Sequence, residues 1–143
     1  MKPAALALTT LLLGAPAVAS EPPAGASVVF VFDSLKASRG EVMVALYDDQ
    51  GAYKARKGSR EARVRAAAGG SQVRFDALKP GRYAAMIFHD LNGDGRMNFA
   101  PMGVPLEPYA FSNNAAGRFG PAAWRVAAFE VPAGGVRQTI RLR

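Results

Sequence analysis

The side chains best able to do chemistry fall in one run, HDLNGDGRMN, from His89 to Asn98. Counted from Asp90, the oxygens of Asp90, Asn92 and Asp94 stand at positions 1, 3 and 5 of a calcium loop. Gly95 takes the sharp turn at position 6, the Arg96 carbonyl position 7, and Asn98 position 9. Position 12 is Pro101, which has no side-chain oxygen; Glu107 is a remote replacement if the chain folds back. So few carboxylates imply weak binding, in the range of about 10⁻⁴ to 10⁻³ M. The same residues equally suit a hydrogen-bonded turn, because Asx side chains bond back to nearby backbone N–H groups. The spacing leaves both readings open and favours the turn.

His89 is the only histidine and there is no cysteine, which makes a zinc or copper site of the usual kind a poor fit. As a general base it needs an acid or a nucleophile beside it. Asp90 and Glu107 are the candidate acids, and the alternative function is a hydrolase built on one of those pairs. Ser112 is the nearest nucleophile candidate, but nothing like a nucleophile elbow surrounds it. The stronger expectation is a strand-end histidine that orients a loop. Glu107, Tyr109, Phe111, Ser112, Asn113 and Asn114 suit the lining of a small-molecule, peptide or carbohydrate site. Equally, the two aromatics could pin a loop while the asparagines satisfy its backbone. Met97 and Met102 raise the question of a soft metal. With no further soft ligand close in sequence, loop packing is expected of them.

Strands must carry these groups. SVVFVFD is rich in β-branched and aromatic residues. In GEVMVALYD, Val42, Val44 and Leu46 alternate with Met43, Ala45 and Tyr47, so both faces are largely apolar. From Asp48 to Gly70 the pattern is ambiguous between loop and helix; in a β domain a loop is expected, with a short strand near Ala62 to Arg65. SQVRFDA alternates, LKPG turns, and RYAAMIFH runs apolar into the polar phrase. Residues 91–123 show no period, and loops that long are usually functional. WRVAAFEV and VRQTIRLR read as closing strands, the last with one apolar and one charged face. These elements predict an all-β fold: a single antiparallel β-sandwich of about seven strands with one long irregular loop.

The N-terminal MKPAALALTTLLLGAPAVAS has a short basic start, an apolar run too short to span a bilayer, and an A-x-A site at Ala17 to Ala19. It reads as a signal peptide over 1–19, followed by a Pro/Gly-rich leader over 20–26 and the sandwich over 27–143. The expected product is exported, periplasmic or extracellular, with no membrane span after cleavage. Without cysteine it has no disulfide, so its core alone must hold it. The formal charge of +7 has no nucleic-acid motif beside it. The expected function is a non-catalytic binding or accessory module, in which the Asp90–Asn98 loop fixes a surface built from Glu107 to Asn114. A basic surface meeting an envelope component is a third reading, which requires the arginines to gather on one face. The first and last strands, if they lie at edges, could pair across a dimer.

One segment carries more information. His89, Asp90, Asn92, Gly93 and Gly95, then Gly103, Pro105 and Glu107, then Tyr109, Phe111, Ser112, Asn113 and Asn114, resemble the motifs of a bacterial family called domain of unknown function 2141. Gly120-Pro121, Trp124, Ala127 and Phe129 extend the match, as do LKPGRYA and the exported N-terminus. The resemblance implies a small exported β-sandwich, transthyretin-like or immunoglobulin-like, favours a Gram-negative periplasm, and names no activity. The chain departs from the pattern at Asn98, Ala100, Pro108, Ala110 and Arg125-Val126. At Asn98 and at Arg125-Val126 carboxylates are lost, which weakens an inferred metal site.

Overall fold

The structure is a computed structural model that describes residues 25–143. The expected signal peptide and most of the leader lie outside the described residues. Eight strands form two sheets. In chain order they are β1 (Ala26–Phe32), β2 (Glu41–Tyr47), β3 (Arg60–Arg65), β4 (Ser71–Leu78), β5 (Gly81–Asp90), β6 (Tyr109–Phe111), β7 (Phe129–Val131) and β8 (Val136–Thr139). One sheet has the order β4-β1-β8. The other has the order β3-β2-β5-β6, and β7 also pairs with β5.

The period-2 patterns place the core. Val28, Phe30 and Phe32 from β1 meet Val42, Val44 and Leu46 from β2, all fully or almost fully buried. Phe30 stands edge-on to Phe75 at 6.3 Å and to Phe129 at 5.9 Å, the geometry that aromatic quadrupoles favour. Arg60 at the edge of one sheet donates to the carbonyls of Asp76 (2.6 Å) and Ala77 (3.3 Å) on the other, strapping the layers together.

Four expectations change. The β1–β8 pair is parallel, not antiparallel, because the chain crosses the sandwich before its last strand. The first strand is central in its sheet, flanked by β4 and β8, so it offers no edge for a dimer. The stretch after Tyr47 contains a helix, α1 (Gln50–Ala55), started by the Asp49 side chain accepting from Ala52 N–H and stopped by Arg56 at φ 54°. The expected strand from Trp124 is instead one helical turn, α2 (Trp124–Ala127), followed by β7. Trp124 turns there because its ring packs on Tyr53 at 5.6 Å, which a straight strand pairing only with β5 would not offer.

A second cluster, outside the sandwich core, covers part of the larger sheet's outer face. Tyr47, Tyr53, Ala84, Phe111, Ala122 and Ala127 are buried in it. Burial pushes the Tyr53 hydroxyl up to about 12, with a further contribution from Tyr47, and that hydroxyl donates to the Ala122 carbonyl at 2.8 Å.

Candidate functional site

β5 delivers Asp90 into the polar loop as a buried carboxylate, 1% exposed. Its Oδ1 accepts from Gly93 N–H at 2.7 Å and its Oδ2 from Gly95 N–H at 2.8 Å. Both glycines have φ near +75°, a region closed to most side chains, which lets the backbone curl around the carboxylate. Gly40 is equally constrained: at φ 74° a Cβ there would collide with the Asp90 carbonyl.

Glu107 repeats the arrangement from the far end of the loop. Its Oε1 accepts from Leu91 N–H at 3.0 Å and its Oε2 from Asn98 N–H at 3.1 Å. Outside these two buried acids, exposed Asn92 and Asp94 and half-buried Asn98 form a triangle. The Asn98 amide donates to Asp94 Oδ2 at 2.9 Å, and the Asn92 amide donates to Asp94 Oδ2 at 3.3 Å and to Asn98 Oδ1 at 3.1 Å. The bond from Asn98, then that from Arg96 N–H at 2.8 Å, hold the Asp94 carboxyl below its ordinary range. Arg96 is exposed.

This arrangement satisfies a loop, and it fits a divalent cation poorly. All four oxygens of the buried acids already accept backbone N–H bonds, and no group of three or more His, Cys, Asp or Glu converges among the described residues. Calcium at Asp90 would have to share oxygens on which the Gly93 and Gly95 N–H groups already draw charge. The expected result is a melting midpoint that is the same in EDTA and in millimolar calcium. A calcium-specific rise of several degrees, abolished by Asp90→Ala and by Asp94→Ala, would reverse this reading.

His89 is fully buried, and its Nε2 lies 2.7 Å from the Arg39 carbonyl. A carbonyl only accepts, so Nε2 carries the proton and Nδ1, also buried, finds no protein partner. The ring therefore bonds to backbone and to neither Asp90 nor Glu107. Ser112 is also fully buried: its Oγ accepts from Ala85 N–H at 2.8 Å and donates to the Ala127 carbonyl at 2.6 Å. The acid/base pair and exposed nucleophile of a hydrolase are not assembled from these residues.

The two asparagines after Ser112 hold other segments. Both sit at positive φ, 59° and 51°. Asn113 Nδ2 donates to the carbonyls of Val126, Ala127 and Ala128, and its Oδ1 accepts from Gln138. Asn114 donates to the Thr139 carbonyl at 2.9 Å and accepts from Arg141 N–H at 2.8 Å. Ser-Asn-Asn is thus a clasp on α2 and on the last strand.

The family-model comparison covers the same ground. Residues 31–139 match the family described as an uncharacterized protein conserved in bacteria, DUF2141. The chain belongs to this family. No curated protein and no solved structure matches this DUF2141 chain.

What the sequence did not single out is a groove of about 1120 Å3 on the outer face of the larger sheet. Its floor includes Met43, Ala45, Met86, Phe88, Tyr109 and Phe111. Four of the chain's five methionines line it, with Met97 and Met102 on one wall. That wall is a small hairpin, closed by Leu106 N–H to the Asn98 carbonyl at 2.9 Å and Ala100 N–H to the Val104 carbonyl at 2.8 Å. Its base is the pair of backbone bonds to Glu107. The opposite wall, Gly117 to Pro121, is anchored by Tyr53 through Ala122. Of the expected lining residues, Tyr109 and Phe111 reach the groove, while Glu107, Ser112, Asn113 and Asn114 serve the framework. Met102 is fully exposed at the hairpin tip and does not pack as expected. The signal that could have found the groove was the apolar second face of β2: register pairs Ala45 with Met86 and Met43 with Phe88, which makes one continuous apolar floor.

Proposed function

We propose that this DUF2141 protein is an exported, periplasmic, non-catalytic binding module. Its groove takes a small elongated ligand with an apolar body and one polar end. The observation that carries this is the methionine- and aromatic-lined groove between two anchored walls. Its volume suits a drug- or lipid-sized molecule, and methionine side chains adapt readily to apolar partners. Arg56, Glu61 and Arg63 are the charged side chains that line it. Burial, and then Glu61, pushes the Tyr47 hydroxyl up while Arg56 draws it down, so both lining charges stand near Tyr47 and the polar end of the ligand belongs beside it. In this reading the polar loop from Asp90 to Asn98 fixes a wall, and the supposed metal ligands are its hydrogen-bonding frame. Export is supported by the character of the first nineteen residues.

The test uses an uncharged apolar fluorescent probe, N-phenyl-1-naphthylamine. The protein is expected to bind it with enhanced emission, and Ala45→Trp, which fills the floor, is expected to weaken binding about tenfold or more, a change of about 1.4 kcal/mol. Probe binding that Ala45→Trp leaves intact, in a variant that still melts cooperatively, would place the site elsewhere.

A further inference from the structure

The groove mouth carries a feature that a soluble ligand does not explain. Among the described residues six large apolar side chains are exposed, and five of them lie on the two walls: Phe99, Met102, Val104 and Leu106 on one, Phe119 on the other. Scattered single exposures are ordinary on protein surfaces, but a cluster flanking one opening is not. The backbone is also unusual at both tips. Met102 sits at φ 72° and Phe119 at φ 52°, in the left-handed region that non-glycine residues seldom adopt. Met102 and Phe119 are both fully exposed, so this strain is not offset by packing within the chain.

Charge next to the tips has one prevailing sign. Arg118 directly precedes Phe119, Arg96 directly precedes the groove-lining Met97, and both are exposed. Arg56 and Arg63 line the groove itself. Glu61, Asp94 and Glu41 are the acids nearby. Glu41 pairs with Arg63 at 3.6 Å, which leaves Arg56, Arg96 and Arg118 as the cations that bracket the tips, and the Asp94 carboxylate already accepts three hydrogen bonds within its own loop. The remaining basic residues are spread over both sheets: Arg74 on β4 pairs with Asp76, Arg82 on β5 with Glu130, and Arg137 lies on β8. That dispersal removes the reading in which scattered arginines make one basic face. A local arrangement is left, in which apolar tips are bracketed by arginines.

We propose that the hairpin tip at Phe99–Leu106 and the opposite tip at Phe119 are a membrane-docking rim. It inserts shallowly into an anionic lipid surface and brings the groove mouth to the bilayer. Apolar side chains entering the interface with arginines at headgroup level is the balance that interfacial binding requires. The inference does not depend on the groove holding a ligand.

The test is sedimentation of the intact mature protein with vesicles of phosphatidylcholine mixed with phosphatidylglycerol, against vesicles of phosphatidylcholine alone. The protein is expected to partition onto the anionic vesicles and far less onto the neutral ones. The double variant Met102→Ser/Phe119→Ser should lose about tenfold or more of that binding, and Arg118→Glu about fivefold or more. Val126→Ser, at the exposed apolar residue away from both tips, should bind as the parent does. The double variant should melt no lower than the parent, because its changes are at solvent-exposed tips. Ala45→Trp should keep vesicle binding while losing the probe, which separates the rim from the groove. No binding to anionic vesicles overturns the proposal. So does binding that salt abolishes but the tip variants leave intact, which would be nonspecific charge attraction. A dimer in solution that the tip variants dissociate, without vesicle binding, would instead make the rim a self-association surface.

Discussion

Asp90→Ala is expected to lower the stability of the fold by about 3 kcal/mol, and the melting midpoint by about 10 °C, in the complete absence of calcium. The carboxylate is buried, and each of its oxygens accepts one backbone N–H bond. Hydrogen bonds to a charged group contribute about 1.5–3 kcal/mol each, and removing the acceptor strands two donors. Asp90→Asn keeps one acceptor oxygen and should lose about half as much. Asp94→Ala should cause a much smaller fall, since that carboxylate is exposed and bonds only within its own loop. Thermal melts of the three variants in EDTA decide the matter. Asp90→Ala melting within about two degrees of the parent would mean that the loop is held by something other than this frame.

Ser112→Ala should be comparably damaging, at about 2–4 kcal/mol, although it removes one atom. The hydroxyl is fully buried between an N–H group on β5 and a carbonyl at the end of α2, and an unpaired buried polar group costs about 1–3 kcal/mol. Denaturant midpoints with an unchanged m-value would show this loss as one of native stability. A catalytic serine would behave otherwise, with its removal leaving stability intact or improved. A neutral melt for Ser112→Ala would therefore reopen the reading of Ser112 as a reactive group.

The strands were readable where one face met the core and the other met water. Val73 and Phe75 against Arg74 and Asp76, or Val136 and Gln138 against Arg137 and Thr139, follow directly from burial on one side of a sheet, although the last strand stops at Thr139 and does not run on to Arg143 as expected. The ambiguous REARVR became an edge strand despite its helical composition, because pairing with β2 outweighs propensity. Trp124 misled for a related reason: an aromatic and a β-branched residue suggest a strand, but a contact with Tyr53 seventy-odd residues away fixed a turn of helix. In the loop, the spacing located the residues that converge and left their roles open. Asx chemistry is the same whether the oxygens face a cation or backbone N–H groups, and only the positions of Gly93, Gly95, Leu91 and Asn98 relative to the carboxylates separate the two. The groove was the least legible feature. Met43 and Met86 are distant in sequence, and only strand register brings them onto one floor.

The parallel pairing of β1 with β8 has a consequence for how the chain acquires its fold. Val28 pairs with Val136 and Val31 with Thr139, while Asn114 clasps the segment that follows. Until those late residues are available, β1 has an open hydrogen-bonding edge and the smaller sheet has only two strands. Contacts so distant along the chain must be reached against loop-closure entropy, so they form slowly. The sandwich therefore cannot complete itself on a partly synthesised chain. Such a chain keeps an unpaired β1 edge until residues 136–141 have been made and can reach β1 and Asn114.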